Sequence, residues 1–139
     1  MNTYSIAVIP GDGIGSEVIN EGIKVLKLLE EQEEINFHFD YFDWGSDYYR
    51  QNGLMMPENG LESLKNFDAI YFGAVGDPEI PDHITLNGLL IPMRKGLDQY
   101  VCLRPNILFP GVVSPLVNPN VDLVVVRENT EGEYASVGG

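Results

Sequence analysis

The chain has 139 residues, an ordinary globular composition and a formal net charge of −13, enough to fill one domain or part of a larger one. That acidic surplus excludes nucleic acid and anionic membrane as main partners, since a phosphate-rich surface repels such a field. A single cysteine excludes an internal disulfide, and no apolar run is long enough to predict a membrane span.

In chain order the pattern alternates strands with helices. Tyr4 to Ile9 is a short apolar run that predicts a strand; Pro10-Gly11-Asp12-Gly13-Ile14-Gly15 follows as a tight turn, and a helical pattern begins at once. Ser16 is the expected cap of that helix and Glu17 suits its first turn. Ile19, Ile23 and Leu26, flanked by Val18, Val25 and Leu29, predict a wide apolar face for packing on a sheet. The acidic run Glu30, Glu31, Glu33 and Glu34 reads as a solvated helix end. Ile35, Phe37, Phe39 and Tyr41 then alternate with Asn36, His38 and Asp40, the period of a half-buried strand.

Ser46 to Asn52 predicts a short helix closed by Gly53, and Pro57-Glu58 opens another that runs through Leu61, Leu64 and Lys65. Phe67 to Phe72 is the next strand. It ends in Gly73-Ala74-Val75-Gly76-Asp77-Pro78, a glycine-rich turn at a strand's carboxyl end, where open α/β sheets place their ligands. A looser stretch, Glu79 to Thr85, leads to a helical segment around Asn87 to Leu97, in which Pro92 deletes a backbone hydrogen bond and threatens a kink. Tyr100 to Phe109 reads as extended, Gly111, Pro115 and Pro119 punctuate a loop, and Val121 to Val126 is a β-branched strand ending in Arg127-Glu128.

The chain holds four arginines, and three of them, Arg94, Arg104 and Arg127, fall at element ends in its second half. A guanidinium is always charged and its planar fork matches a carboxylate, so converging forks make a pocket for a small polyanion. Arg127-Glu128-Asn129-Thr130-Glu131-Gly132-Glu133-Tyr134 leaves a strand without periodicity, which suits a loop at the sheet's functional end with a phenol in reach of the same anion, although taken in isolation the motif reads better as a surface loop with an Arg-Glu pair. Gly11-Asp12-Gly13-Ile14-Gly15 lacks the spacing of a dinucleotide fingerprint, and Asp12 there would turn its carboxylate toward any pyrophosphate, so a plain turn competes evenly with a cofactor contact. His38 and His83 have no companions at metal-ligand spacing and read as surface or structural residues, and Cys102 reads as a small buried hydrophobe.

Taken together, Ile9 to Gly15, Gly73 to Gly76, the Arg94 segment, Leu103-Arg104-Pro105 and Arg127 to Tyr134 resemble the isocitrate/isopropylmalate dehydrogenase superfamily across the whole chain. Pro81-Asp82-His83-Ile84-Thr85-Leu86, Asp98-Gln99-Tyr100-Val101 and Leu108-Phe109-Pro110-Gly111 look most like its tartrate dehydrogenase and decarboxylating D-malate dehydrogenase group. The resemblance implies NAD-dependent oxidative decarboxylation of a 2-hydroxy dicarboxylic acid with Mn or Mg and often a monovalent cation, in a homodimer; the cytoplasmic expectation comes from Met1 to Tyr4, which lack the basic start and apolar run of a signal peptide. It makes Arg94, Arg104 and Arg127 substrate-carboxylate ligands and Tyr134 the catalytic acid. It sets Asn87, Leu90 and Ile91 in the pocket wall, and Ile14, Gly73, Ala74, Val75 and Gly76 beside the cofactor. Cys102 stands where the family usually has asparagine.

The implied fold is α/β: the N-terminal part of an isopropylmalate-dehydrogenase-like fold, a parallel or mixed sheet flanked by helices. Residues 1–99 are expected to belong to the large split domain and 100–139 to begin a second, substrate and dimerisation domain. Family members continue well past Gly139 and carry the base lysine, the metal-binding aspartates and the adenine-binding loop there. No metal ligand is therefore expected in this chain, and the 139 residues alone are expected to be an inactive fragment. Isopropylmalate dehydrogenase and a non-catalytic anion-binding or dimerisation module are the alternative readings.

Overall fold

The computed structural model describes residues 2–117 and 120–135, with the backbone alone at 133; Pro119 lies outside the described residues. The chain divides into two compact units, Met1–Met93 and Arg94–Gly139.

The first unit is built on a three-stranded parallel sheet in the order β2-β1-β3, with β1 at Asn2–Gly11, β2 at Ile35–Tyr41 and β3 at Ala69–Ala74. The sequence places an unbroken apolar run in the central strand, and Ile6, Ala7, Val8 and Ile9 are all buried. A parallel strand covered on both faces requires such a run in place of alternation. Helix α1, Ile14–Gln32, covers one face: Ile6 and Val8 pack with Ile19 and Ile23, joined by Leu26, Phe37, Phe39 and Tyr71.

The apolar stripe of α1 is narrower than expected, because Val18 and Val25 remain more than half exposed. Gly22 explains how the helix comes so near β3, since a Cβ there would meet the Tyr71 hydroxyl at 1.8 Å. The start of the helix also differs. It begins at Ile14 after Gly13, with no side-chain cap, and the Asp12 carbonyl accepts the Gly15 N–H at 2.9 Å, so Ser16 lies inside the first turn.

Helix α2, Ser46–Asn52, ends at Gly53 with φ 74°, the left-handed closure its glycine predicts. Helix α3, Gly60–Leu64, starts later than Pro57-Glu58 predicts; Gly60 donates to the Pro57 carbonyl in a turn first. Strand β3 starts at Ala69, because Phe67 still donates to the Leu64 carbonyl. The stretch expected to be loose contains helix α4, Asp82–Thr85, which passes into a π-helical turn, Leu86–Leu90, and then α5, Ile91–Gly96. The π turn answers the problem of Pro92. Ile91 donates to the Leu86 carbonyl five residues back, and Pro92 follows where the hydrogen-bond pattern changes from π to α, so its missing donor falls in the transition and no helix is broken.

In the second unit the chain leaves α5 through Asp98, whose φ is 52°, with Gln99 N–H donating to the Arg94 carbonyl at 2.8 Å. Strands β4, Val101–Ile107, and β5, Asp122–Glu128, form an antiparallel pair with Cys102 opposite Arg127, Leu103 opposite Val126 and Pro105 opposite Val124. Val124, Val125 and Val126 are exposed. No helix of the described residues is long and apolar enough to cross a membrane.

Candidate active site

The hairpin register assembles the anion-binding candidates within the second unit. Cys102 and Arg104 are two apart on β4 and so share a face, and Arg127 stands directly across from Cys102 on that same face. Arg94, in the last turn of α5, belongs to the group: burial pulls its pKa down, and the charge of Arg127 and then of Arg104 adds to the effect. The mutual lowering places these cations near one another, while Cys102 and Tyr134 act on Arg94 in the opposite direction.

Arg127 is the best-held member. Its Nη2 donates to Asn129 Oδ1 at 2.9 Å, and its guanidinium carbon lies 5.3 Å from the centroid of the Tyr134 ring, a cation–π distance. Asn129 is buried. Its Nδ2 donates to the Gln99 carbonyl at 3.2 Å and its backbone N–H to the Tyr100 carbonyl at 2.9 Å. The loop after β5 is thus tied to the chain entering β4, and Asn129 sets the plane of the Arg127 fork. Glu128 turns back on its own loop, accepting from Thr130 N–H, from Thr130 Oγ1 at 2.9 Å and from Glu131 N–H at 2.7 Å; these bonds, the Thr130 amide first, hold its carboxyl below the usual range. Tyr134 ends a single 3₁₀ turn, Gly132–Tyr134.

The fourth arginine behaves differently. Arg50 pairs with Asp47 at 2.9 Å, Asp77 at 2.6 Å and Glu79 at 3.4 Å. Among the described residues, Arg94, Arg104 and Arg127 make no ion pair, and the buried Nε of Arg127 has no hydrogen-bond partner. Three converging guanidinium groups without a protein carboxylate suit a small polyanion. Cys102 is half-buried, not sequestered as a small hydrophobe: Arg104 Nε donates to its sulfur at 3.5 Å. That contact lowers the thiol pKa, with the charges of Arg127, Arg104 and Arg94 adding to it.

The remaining candidates lie in the first unit. Asn87 is exposed and Leu90 half-buried in the π turn, and Ile91 is half-buried at the start of α5. Ile14 is 65% exposed at the head of α1. Gly73 and Ala74 are used in packing. A Cβ at Gly73 would come within 2.2 Å of the Pro10 carbonyl, and the Ala74 carbonyl accepts the Asp12 N–H at 2.7 Å. Val75 is half-buried, whereas Gly76 is exposed and faces open space at φ 151°. Ile14 and Gly76 are thus the exposed members of this set, whereas Gly73 serves close backbone approach.

The Asp12 carboxylate does not point at the helix terminus as the sequence reading anticipates. It accepts from Ser46 N–H at 2.7 Å, Ser46 Oγ at 2.6 Å and Gly76 N–H at 2.8 Å, joining the turn after β1, the start of α2 and the turn after β3. The sequence pattern does not single out Asp12 and Arg50 as ties between these turns, nor Asn129 as the partner of Arg127. Arg50, the lone arginine of the first half, carried a signal in its scarcity; Asn129 carried none.

The family model described as isocitrate/isopropylmalate dehydrogenase matches residues 5–138. The chain belongs to the isocitrate/isopropylmalate dehydrogenase family. A probable tartrate dehydrogenase/decarboxylase of Agrobacterium vitis is 55% identical over all of this chain and 40% of its own length. A decarboxylating D-malate dehydrogenase of Escherichia coli is 54% identical, again over all of this chain and 40% of the relative. This member of the family thus spans about two fifths of the curated relatives it matches. Among solved structures, an isocitrate dehydrogenase of Methylococcus capsulatus superposes with a TM-score of 0.75 at 28% identity, covering 96% of this chain and 37% of that one. A β-decarboxylating dehydrogenase of Thermococcus kodakarensis does so with a TM-score of 0.67 at 35% identity, over 93% and 35%.

Proposed function

We propose that the chain contributes the carboxylate-binding arginines and the proton donor of an NAD-dependent decarboxylating dehydrogenase acting on D-malate or tartrate. The observation that carries the reading is the grouping of Arg94, Arg104 and Arg127, with Tyr134 stacked on Arg127 and no ion pair to the three among the described residues, whereas Arg50 is paired with carboxylates. The names of relatives 54–55% identical support the substrate class. In this reading the guanidinium groups orient the dicarboxylate by bidentate contacts, and Tyr134, its ring held over Arg127, returns a proton to the carbon that loses carbon dioxide. Ile14 and Gly76 are the exposed groups of this chain that would touch NAD, which would supply a hydride acceptor for the hydroxyl carbon.

Among the described residues no group of three or more His, Cys, Asp or Glu side chains is placed to hold a metal ion. These residues do not fit the family's divalent ion. Turnover belongs to the whole protein as a homodimer, and dicarboxylate binding to this chain; the 139 residues alone are assigned no turnover. Calorimetry of the chain with D-malate and tartrate tests the binding arm, with Arg127→Met expected to abolish the heat. NADH formation by the whole protein tests the other arm, with D-malate and tartrate turned over faster than isopropylmalate. Equal binding by wild type and Arg127→Met would remove the arginine site from the reading. Preferred turnover of isopropylmalate would replace the substrate.

A further inference from the structure

We infer that Arg50 and Asp12 are positioning residues that preset the turn after β3, with one face of α2 as the brace. The inference rests on the reading of that turn as a cofactor contact. Ser46 and Arg50 are four residues apart on α2 and so lie on one side of it. Ser46 reaches the turn through Asp12, whose Oδ1 accepts Ser46 N–H and whose Oδ2 accepts both Ser46 Oγ and Gly76 N–H. Arg50 reaches it directly, donating from Nη2 to Asp77 Oδ2 at 2.6 Å and more weakly to Glu79 at 3.4 Å. Two successive residues of the turn, Gly76 and Asp77, are thus tied to the two ends of one helical face.

The turn has further internal ties that depend on Asp77. Its Oδ1 accepts the Glu79 N–H at 2.9 Å and its carbonyl accepts the N–H of the buried Ile80 at 3.0 Å. The Asp77 side chain is only 18% exposed, so water screens its pair with Arg50 less than it screens the Arg50–Asp47 pair, whose aspartate is 91% exposed. Gly76, with no side chain and a φ of 151°, would wander without these ties. A turn ordered during folding does not have to be ordered on binding. When the brace is cut, only a fraction of molecules hold the competent turn, and apparent cofactor affinity falls by that fraction. Arg50 does not act on the reacting atoms, so the loss belongs in KM for the cofactor and not in kcat.

The test uses the whole protein with D-malate as substrate. Arg50→Met is expected to raise KM for NAD about tenfold while kcat stays within about twofold. Asp77→Asn should do the same, the double variant should be no worse than either single, and Arg50→Lys should recover most of the loss. Unchanged KM for NAD, additive losses or a parallel fall in kcat would overturn the brace. If the wild-type protein turns over none of the acids, the functional reading fails by itself and amide exchange decides. Exchange at Gly76 and Glu79 about tenfold faster in Arg50→Met, with β1 amides unchanged, supports the brace; equal rates in the two proteins overturn it.

Discussion

Replacing Asp12 by alanine removes one acceptor group from three donors, and their surroundings determine the cost. Summing three charge-assisted hydrogen bonds at about 1.5 to 3 kcal/mol each would give about 5 to 9 kcal/mol, which treats donors that can recover as though they could not. Ser46 is 1% exposed, so its N–H, 2.7 Å from Asp12, finds no water once the carboxylate is gone and costs about 1 to 3 kcal/mol. Its hydroxyl can rotate toward another acceptor, at a loss of about 1 kcal/mol. Gly76 is exposed, and water replaces the carboxylate there at little cost. The expected loss is therefore about 2 to 4 kcal/mol, a large share of the roughly 5 to 15 kcal/mol that stabilises a domain. Asp12→Asn keeps one carbonyl oxygen but turns an amide toward the other donors, so about half the loss should remain. Trp44, buried beside Gly45 with its ring centroid 4.6 Å from that of Phe42, is the only tryptophan and reports unfolding of this region by fluorescence in urea. At a slope of about 2 kcal/mol per molar, the alanine variant should lower the midpoint by about 1 to 2 M with the slope unchanged. A loss below about 0.5 kcal/mol, or an asparagine variant as damaged as the alanine one, would refute the argument that the buried Ser46 amide dominates.

The glycines of the first turn should separate by what surrounds them. Gly15→Ala places a Cβ 2.1 Å from the Pro10 carbonyl oxygen and 2.8 Å from the Ala74 nitrogen, both backbone atoms that cannot yield, and should cost more than about 3 kcal/mol. Gly13→Ala meets open space and carries only the backbone strain of φ 50° and ψ −121°, about 1 to 3 kcal/mol, so urea midpoints in the reverse order would contradict the packing account. Cys102 should be alkylated by iodoacetamide at unusually low pH. Its thiol pKa is lowered first by the Arg104 hydrogen bond, so the reactive thiolate persists below the free-cysteine midpoint of about 8.5 and is lost only as pH falls further. Arg104→Met should move the rate profile back up, and a profile indifferent to that change would exclude the contact as its cause.

What could be read from the sequence was whatever depended on local period or local chemistry. Ile35–Tyr41 alternates because only one set of its side chains meets α1, and its limits came out residue for residue. Gly53 closes α2 because a left-handed residue ends a helix most easily without a Cβ. The arginine grouping was visible because cations are scarce in this chain and scarcity makes position informative. The direction of the Asp12 side chain was not visible. Its partners lie 34 and 64 residues away, and a carboxylate between two glycines has nothing local to aim it. The π turn before Pro92 was hidden for a similar reason: sequence identifies the missing donor but not how the preceding carbonyls are redistributed.

The hairpin shows why the arginine site depends on more than its arginines. Side chains alternate faces along a strand, so a slip of one residue between β4 and β5 would set Leu103 across from Arg127 and remove Cys102 and Arg104 from its face. Register is usually held by burying one face of apolar side chains. Here that face carries Leu103 at 64% and Val126 at 65% exposure, so within this unit burial supplies little of the restraint. Polar ties act at the two ends instead. Asn129 bonds to the Gln99 and Tyr100 carbonyls at one end, and Leu108 N–H donates to the Val121 carbonyl at the other. Of the two bonds at Asn129, the backbone N–H makes the one to Tyr100 and the side chain makes the one to Gln99 while its Oδ1 holds Arg127 Nη2, so strand alignment and guanidinium orientation meet in one residue.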